Sequence, residues 1–285
     1  MIEPLRRIRD NWNVLAHIRA ERPRPYAPPQ PQRIGLLLVA GLALILFVGI
    51  LYDARLIAVA RELPTPIRAF FGWLTRFGQS DWLLIPSGAL TVIVALGDWR
   101  TVSRSSAAAW REIGTFAFVF FLTIAATGIA ADIIKPIVGR FRPDFVTAHV
   151  FAPLAFGGYG NYSFPSGHAT TMATVAIIAA FVPGRWTLPV VVAAALVAIS
   201  RVVVAVHFPS DVVAGTLLGL AVGTLMLRRS ANLRMAFVVR PNGGLDRRFG
   251  AVSHLRRRRH LAALLPALWI ALSPPPPSVP PQDRR

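Results

Sequence analysis

The chain has 285 residues, 54% apolar and only 15% charged, a balance that suits a protein whose solvent is partly lipid. Its formal charge of +18 does not signal a nucleic-acid partner, because it is carried by arginines at the ends of apolar runs, with Lys135 the lone lysine. With no cysteine, disulfides and thiolate metal sites are excluded.

In chain order, residues 1–33 are basic and broken by Pro23, Pro25, Pro28, Pro29 and Pro31, which reads as a short interfacial helix followed by an extended linker. That stretch is too long for the n-region of a cleaved signal peptide, so the first apolar run is a retained span. The run from Ile34 to Tyr52 carries no charge and has nearly the ~20 residues that cross a bilayer core. Residues 53–81 alternate Arg55, Arg61, Arg68 and Arg76 with Phe70, Phe71 and Trp73, the pattern of helices resting on a membrane surface.

Further spans are expected at about 82–97, 113–134, 169–182, 188–206 and 212–227, with Pro183-Gly184-Arg185 a tight turn between the fourth and fifth. The fourth and sixth are short alone, and each is expected to start its helix a few residues earlier, inside the motif that precedes it. Beyond them, Arg256 to Arg259 precede an apolar stretch at 261–272 and a proline tract at 274–281. The stretch is too short to cross, and an interfacial segment on anionic lipid and an unstructured tail both fit it. Placing the N-terminus in the cytoplasm puts 23 of the 31 basic residues on that side. The expected fold is therefore an all-α polytopic membrane protein of about six transmembrane helices in a bundle with short interfacial helices. Residues 1–33 form a basic cytoplasmic or interfacial segment, 34–227 the membrane domain, and 228–285 a basic, proline-rich cytoplasmic tail.

Three fragments carry chemistry: Lys135 and, after six residues, Arg142-Pro143; Pro165-Ser166-Gly167-His168; and Ser200-Arg201, with His207 and Asp211 following. Each stands at the same end of an expected span, on the extracytoplasmic side. Phosphoryl transfer spreads charge over three oxygens, so a catalyst mainly positions the group among cations and N–H donors. Lys135, Arg142 and Arg201 supply the cations. If Ser166, Gly167 and His168 open a helix, its free N–H groups bind an anion, Ser166 adds a hydroxyl and Gly167 permits close approach. His207 and Asp211 are four apart, which on a helix sets them on one face, so the carboxylate can hold one ring nitrogen and leave the other to attack. Pro209 suits a first helical turn. Only that spacing favours His207 over His168 as nucleophile. As half of a metal site, His207 and Asp211 lack a further acidic or histidine pair at ligand spacing.

Together the fragments resemble the signature of the type 2 phosphatidic acid phosphatase superfamily, also called lipid phosphate phosphatases, with no departure at the motif positions. The resemblance covers about Lys135 to Asp211 and, through the span layout, loosely 34–227. It implies hydrolysis of phosphate esters or anhydrides through a phosphohistidine, with no metal and no cofactor. His168 is then the acid that protonates the leaving oxygen and the base that activates water.

Around these groups, Asp132, Arg140 and Asp144 crowd the first motif, where they fit either supporting partners of the site or, as the preferred reading, local salt bridges. His149, Tyr159 and Tyr162 are candidates to contact the leaving group, and His17, His254 and His260 are surface residues. The expected function is a lipid phosphatase of the bacterial inner membrane, facing the periplasm or cell exterior, with 53–81 shaping lipid entry. Its expected partners are a membrane lipid phosphate and the bilayer, with no nucleic acid. Undecaprenyl pyrophosphate, phosphatidylglycerol phosphate, phosphatidic acid and lipid A phosphate all remain open, as does oligomeric state. The alternatives are a phosphotransferase with a polyprenyl pyrophosphate donor and a vanadium-dependent haloperoxidase-like enzyme, whose relatives are soluble.

Overall fold

The computed structural model describes residues 4–11, 31–146, 150–154, 159–182, 184–239, 245–247, 250–257 and 260–273. The readings at His17, His149, Pro183, the prolines from 23 to 29, Arg258, Arg259 and the tract 274–281 fall outside them. Within the described chain, residues 4–11 form α1. The bundle follows as α2 (Pro31–Glu62), α3 (Thr65–Leu74), α4 (Asp81–Leu96), α5 (Arg104–Val138), α6 (Gly167–Phe181), α7 (Thr187–Val203) and α8 (Pro209–Asn232). After it come an antiparallel pair, β1 (Phe237–Val239) and β2 (Leu245–Arg247), then α9 (Gly250–Arg257) and α10 (Leu264–Leu272).

This is an all-α membrane bundle. Among the described residues, four helical stretches are long and apolar enough to cross a membrane: Gln32–Glu62, Thr65–Leu96, Arg104–Val138 and Pro209–Asn232. None of the most apolar window of α2 is buried within the protein. Leu36, Leu37 and Ile50 stand exposed there, a surface whose cover is lipid. Helices α6 and α7 have only 15 and 17 residues. At 1.5 Å per residue each falls somewhat short of a ~30 Å core, and α6 lies inside the bundle against α5, α7 and α8. As the sequence predicts, α6 and α8 begin inside their motifs, at Gly167 and Pro209.

One expectation fails at 53–81. The first span does not stop at Tyr52: α2 runs on to Glu62, 32 residues in all. A charge-free window ends at Asp53, but that carboxylate is 6% exposed and held by protein donors, so nothing forces the helix to end there. Only 65–78 forms a separate segment ahead of α4, α3 followed by a 3-10 turn at Thr75–Gly78. Its exposed Phe70, Trp73 and Phe77, with Trp82 beyond, form a chain of ring contacts, Trp73 to Phe77 at 5.3 Å between centroids. Such a strip belongs at a membrane interface.

Helices α6 and α8 approach through small residues. A Cβ at Gly215 would sit 2.4 Å from the Ser166 carbonyl oxygen, and one at Gly219 would sit 2.3 Å from that of Thr170. With Gly223 these glycines recur every fourth residue along one face of α8, which lets the two backbones meet. The buried hydroxyls of Thr123, Thr127, Thr170 and Thr174 donate to carbonyls one turn back, and Thr174 also reaches Thr127 across helices at 3.2 Å.

At the other end the chain folds back on the bundle. Phe237 is fully buried in a cluster with Val119, Ile178, Leu227 and Ala231. Glu112 accepts the Ala251 and Val252 N–H groups at 2.9 and 3.1 Å, capping α9. The stretch 261–272 is helical and buries Ala271 against Val94, Trp99 and Trp110.

Candidate active site

The last turn of α5 ends in Gly139, whose φ of 60° requires a residue tolerant of the left-handed region and whose N–H closes on the Lys135 carbonyl at 2.7 Å. A Cβ there would fall 1.9 Å from the Ala152 carbonyl oxygen. Beyond this turn, residues 140–142 run extended between two flanking segments. Phe141 N–H donates to Val150, Arg142 N–H to Asn161, and Ser163 N–H to Arg140, at 2.7 to 2.9 Å. Two residues apart on an extended chain, Arg140 and Arg142 share a side. Phe141, between them, packs on Tyr162 at 5.8 Å between rings.

Ser166 caps α6, with its Oγ facing the Ala169 N–H at 3.5 Å. Its own N–H donates to the Asp211 carbonyl at 3.0 Å, which joins the first turns of α6 and α8. One donor that the sequence assigned to the anion is thus used within the protein. The N–H groups of Gly167 and His168 remain as first-turn donors without an intrahelical acceptor. Lys135 Nζ lies 3.7 Å from the position a Gly167 Cβ would take, so this cation stands over the start of α6. It also pairs with Asp132 at 2.6 Å.

His207 is not on α8 as its spacing suggested. It precedes the cap residue Phe208, and its N–H donates to the Arg201 carbonyl at 3.2 Å, in a turn where Ala205 takes a φ of 56°. The capping turn, rather than the helical repeat, brings it to Asp211. Oδ2 of Asp211 accepts the Phe208 N–H at 2.8 Å and lies 3.6 Å from His207 Nδ1. At that distance the pair is in electrostatic contact, just beyond a formed hydrogen bond. Both residues are buried. Desolvation pushes the His207 imidazole below its ordinary value, opposed by Asp211. Desolvation likewise lowers Arg142, and the Asp211 charge offsets it.

All eight candidate residues meet at this end of the bundle. His168 stands within electrostatic reach of Arg201, His207, Arg142 and Lys135, and His207 within reach of Arg201 and Arg142. Arg201 is buried and donates to Thr75 Oγ1 at 2.6 Å. The arrangement is three cations and a helix start around two imidazoles, one of them backed by a carboxylate. It can hold a tetrahedral anion and present a nitrogen nucleophile to it.

Among the residues read as accessory, Asp132 pairs locally with Lys135, whereas Asp144 pairs with Arg61 of α2 at 3.2 Å, a contact between residues distant in sequence. Arg140 reaches further, to Asp211 and to Asp53. Tyr162 is buried against Phe141, and the Tyr159 side chain lies outside the description. His254 and His260 are exposed.

Three residues near the site were not found from the sequence. Thr75 touches Arg201, and Gly78 packs so closely on His168 that a Cβ would sit 2.5 Å from its Cδ2. Asp53 accepts the Ser210 N–H at 2.9 Å and its hydroxyl at 2.5 Å. A carboxylate in a membrane helix is itself a functional signal, and Asp53 gives one once α2 is allowed to continue past Tyr52.

The PAP2 superfamily profile matches residues 116–235, which contain all three motif fragments. A lipid A 1-phosphatase of Rhizobium johnstonii is 32% identical over 197 residues, 68% of this chain and 80% of its own. A decaprenylphosphoryl-5-phosphoribose phosphatase of Mycobacterium tuberculosis is 34% identical over 157 residues, 54% of this chain and 75% of that one. Among solved structures, a transmembrane PAP2 type phosphatidylglycerolphosphate phosphatase from Bacillus subtilis shows 22% identity and a TM-score of 0.41 over 79% of this chain and 94% of that one. The chain belongs to the PAP2 superfamily and is a membrane phosphatase.

Proposed function

We propose that this protein hydrolyses the phosphate monoester or pyrophosphate of a membrane lipid at the extracytoplasmic face, through a phosphohistidine on His207 and without metal. The observation that carries this reading is the convergence of Lys135, Arg142, Arg201, His168 and the His207–Asp211 pair at one end of a bundle whose outer surface is apolar. The relatives named for lipid A and for a decaprenylphosphoryl sugar support a lipid substrate.

In this reaction Lys135, Arg142, Arg201, Ser166 and the N–H groups of Gly167 and His168 hold the phosphoryl oxygens. Nδ1 of His207 faces Asp211, so Nε2 attacks phosphorus while the bond to the leaving oxygen breaks. His168 gives that oxygen a proton. It then takes one from water, whose oxygen attacks the phosphohistidine, frees phosphate and restores His207. The segment 65–78, with aromatic residues outward and Thr75 and Gly78 against Arg201 and His168, suits a lipid entrance. Residues 34–227 form the catalytic unit, in the bacterial inner membrane. The flanks 1–33 and 228–285 lie on the cytoplasmic side, where the basic residues concentrate.

Phosphate release by detergent-purified protein tests the proposal, with undecaprenyl pyrophosphate, phosphatidylglycerol phosphate, phosphatidic acid and lipid A as substrates and chelator present. Release by the wild type and not by His207→Ala is expected. Release that chelator abolishes, or that survives in His207→Ala, would overturn it.

A further inference from the structure

Behind the His207–Asp211 pair lies a buried charged cluster that the reaction above does not use. Arg140 donates from one terminal nitrogen to Asp211 Oδ1 at 2.8 Å and Ser210 Oγ at 2.7 Å, and from the other to Asp53 Oδ2 at 2.7 Å. Its guanidinium stacks on the Phe208 ring at 4.0 Å. Asp53 also takes the N–H and hydroxyl of Ser210, so one residue of α2 grips the first turn of α8. The side chains of Asp53, Arg140 and Asp211 are 9%, 12% and 0% exposed.

We infer that Asp53 and Arg140 are positioning residues that hold Asp211 in place against His207 and set the charge it presents there. The inference rests on the proposed role of His207. With Oδ1 held by Arg140 and Oδ2 by the Phe208 N–H, Asp211 cannot turn, and Oδ2 is the oxygen directed at the imidazole. A lone Arg140 would cancel the Asp211 charge and leave His207 less able to carry the positive charge of a phosphoimidazole. Asp53 offsets Arg140, so the three groups sum to one negative charge.

Two substitutions in this cluster act on His207 with opposite signs. The groups facing His207 are Asp211 of α8, Arg201 of α7, His168 of α6 and Arg142 of the α5–α6 loop, with Lys135 of α5 facing His168. Against that constant background, Asp53→Asn removes a negative charge and shifts the His207 titration to lower pH. Arg140→Gln removes a positive charge and shifts it to higher pH. Each shift is about one pH unit for charges a few ångströms apart in a partly polar interior. The double variant returns near wild type, and Arg140→Lys keeps the titration while losing turnover, because a point charge cannot hold both carboxylates.

The experiment is a pH titration of His207 in detergent-solubilised protein labelled at histidine, followed by NMR, beside the pH profile of phosphate release. Opposite shifts that cancel in the double variant are expected in both readouts. Shifts of the same sign, or none, would overturn the inference. Asp53→Asn and the double variant carry the test if Arg140→Gln does not fold. Absence of release by the wild type would count against the proposed function alone, since the NMR titration reads the cluster without turnover.

Discussion

The two ends of the bundle are built on different principles. At the site end α6 and α8 meet backbone to backbone over Gly215 and Gly219, and the buried groups there are hydroxyls, carboxylates and guanidinium groups held at fixed distances. At the opposite end Trp99 stacks on Trp110 at 6.1 Å, and Val94, Ala107 and Ala271 close around them. There the polar atoms of the tryptophans simply find carbonyls, Trp99 that of Val94 at 2.8 Å and Trp110 that of Leu264 at 2.9 Å. Directional contacts define geometry, whereas apolar packing defines proximity and tolerates exchange of shape. Substitutions at the first end should therefore fall on chemistry, and those at the second on stability.

The largest effect is expected for His207→Ala, a fall in turnover of about ten-thousand-fold or more with an unchanged melting profile in detergent. Gly219→Val would come next. Its side chain must displace the Thr170 backbone, at a stability cost of at least ~1–3 kcal/mol, and it would draw Ser166 away from Asp211, so melting temperature and turnover should fall together. Gly78→Ala sharpens the contrast: its Cβ would press on the His168 ring, so a loss of about a hundred-fold in turnover with little change in melting is expected. If that variant instead melted early at full specific activity, the 3-10 turn would belong to the packing and not to the site. Smallest should be Trp110→Phe, which forfeits one hydrogen bond worth about 1 kcal/mol and leaves turnover within about two-fold.

The pH profile probes the site end alone. Burial lowers His207 from its ordinary 6.5, so the proposed nucleophile takes up its proton at a lower pH than a free imidazole. The acid limb of turnover should therefore lie below 6.5, once the substrate phosphate's own ionisation near about pH 6 is allowed for. A limb above 6.5 would mean that Asp211 outweighs desolvation and that His207 is largely protonated when turnover is lost.

Much of the site end was legible in the sequence because its chemistry is carried in short fragments. Lys135, Arg142, Ser166, Gly167, His168, Arg201, His207 and Asp211 are drawn together as the motifs imply, and the starts of α6 and α8 fall within them. Asp53 escaped notice because a hydropathy window ends at the first charge, whereas a helix ends only when its backbone or packing requires it. Thr75 and Gly78 sit in a stretch of alternating arginine and aromatic residues that describes a surface and says nothing of what its inner side touches. The glycine at every fourth position of α8 was present as a packing signal and went unused. At the far end, Phe237 and Ala271 reach their neighbours through contacts distant in sequence, which periodicity does not encode.

Rapid quenching of the enzyme with a labelled lipid phosphate in the presence of chelator asks whether His207 carries the phosphoryl group. Acid-labile, alkali-stable phosphate that maps to the peptide containing His207 is the predicted result. Phosphate on His168, or turnover with no trapped phosphoenzyme under conditions that slow its hydrolysis, would contradict it.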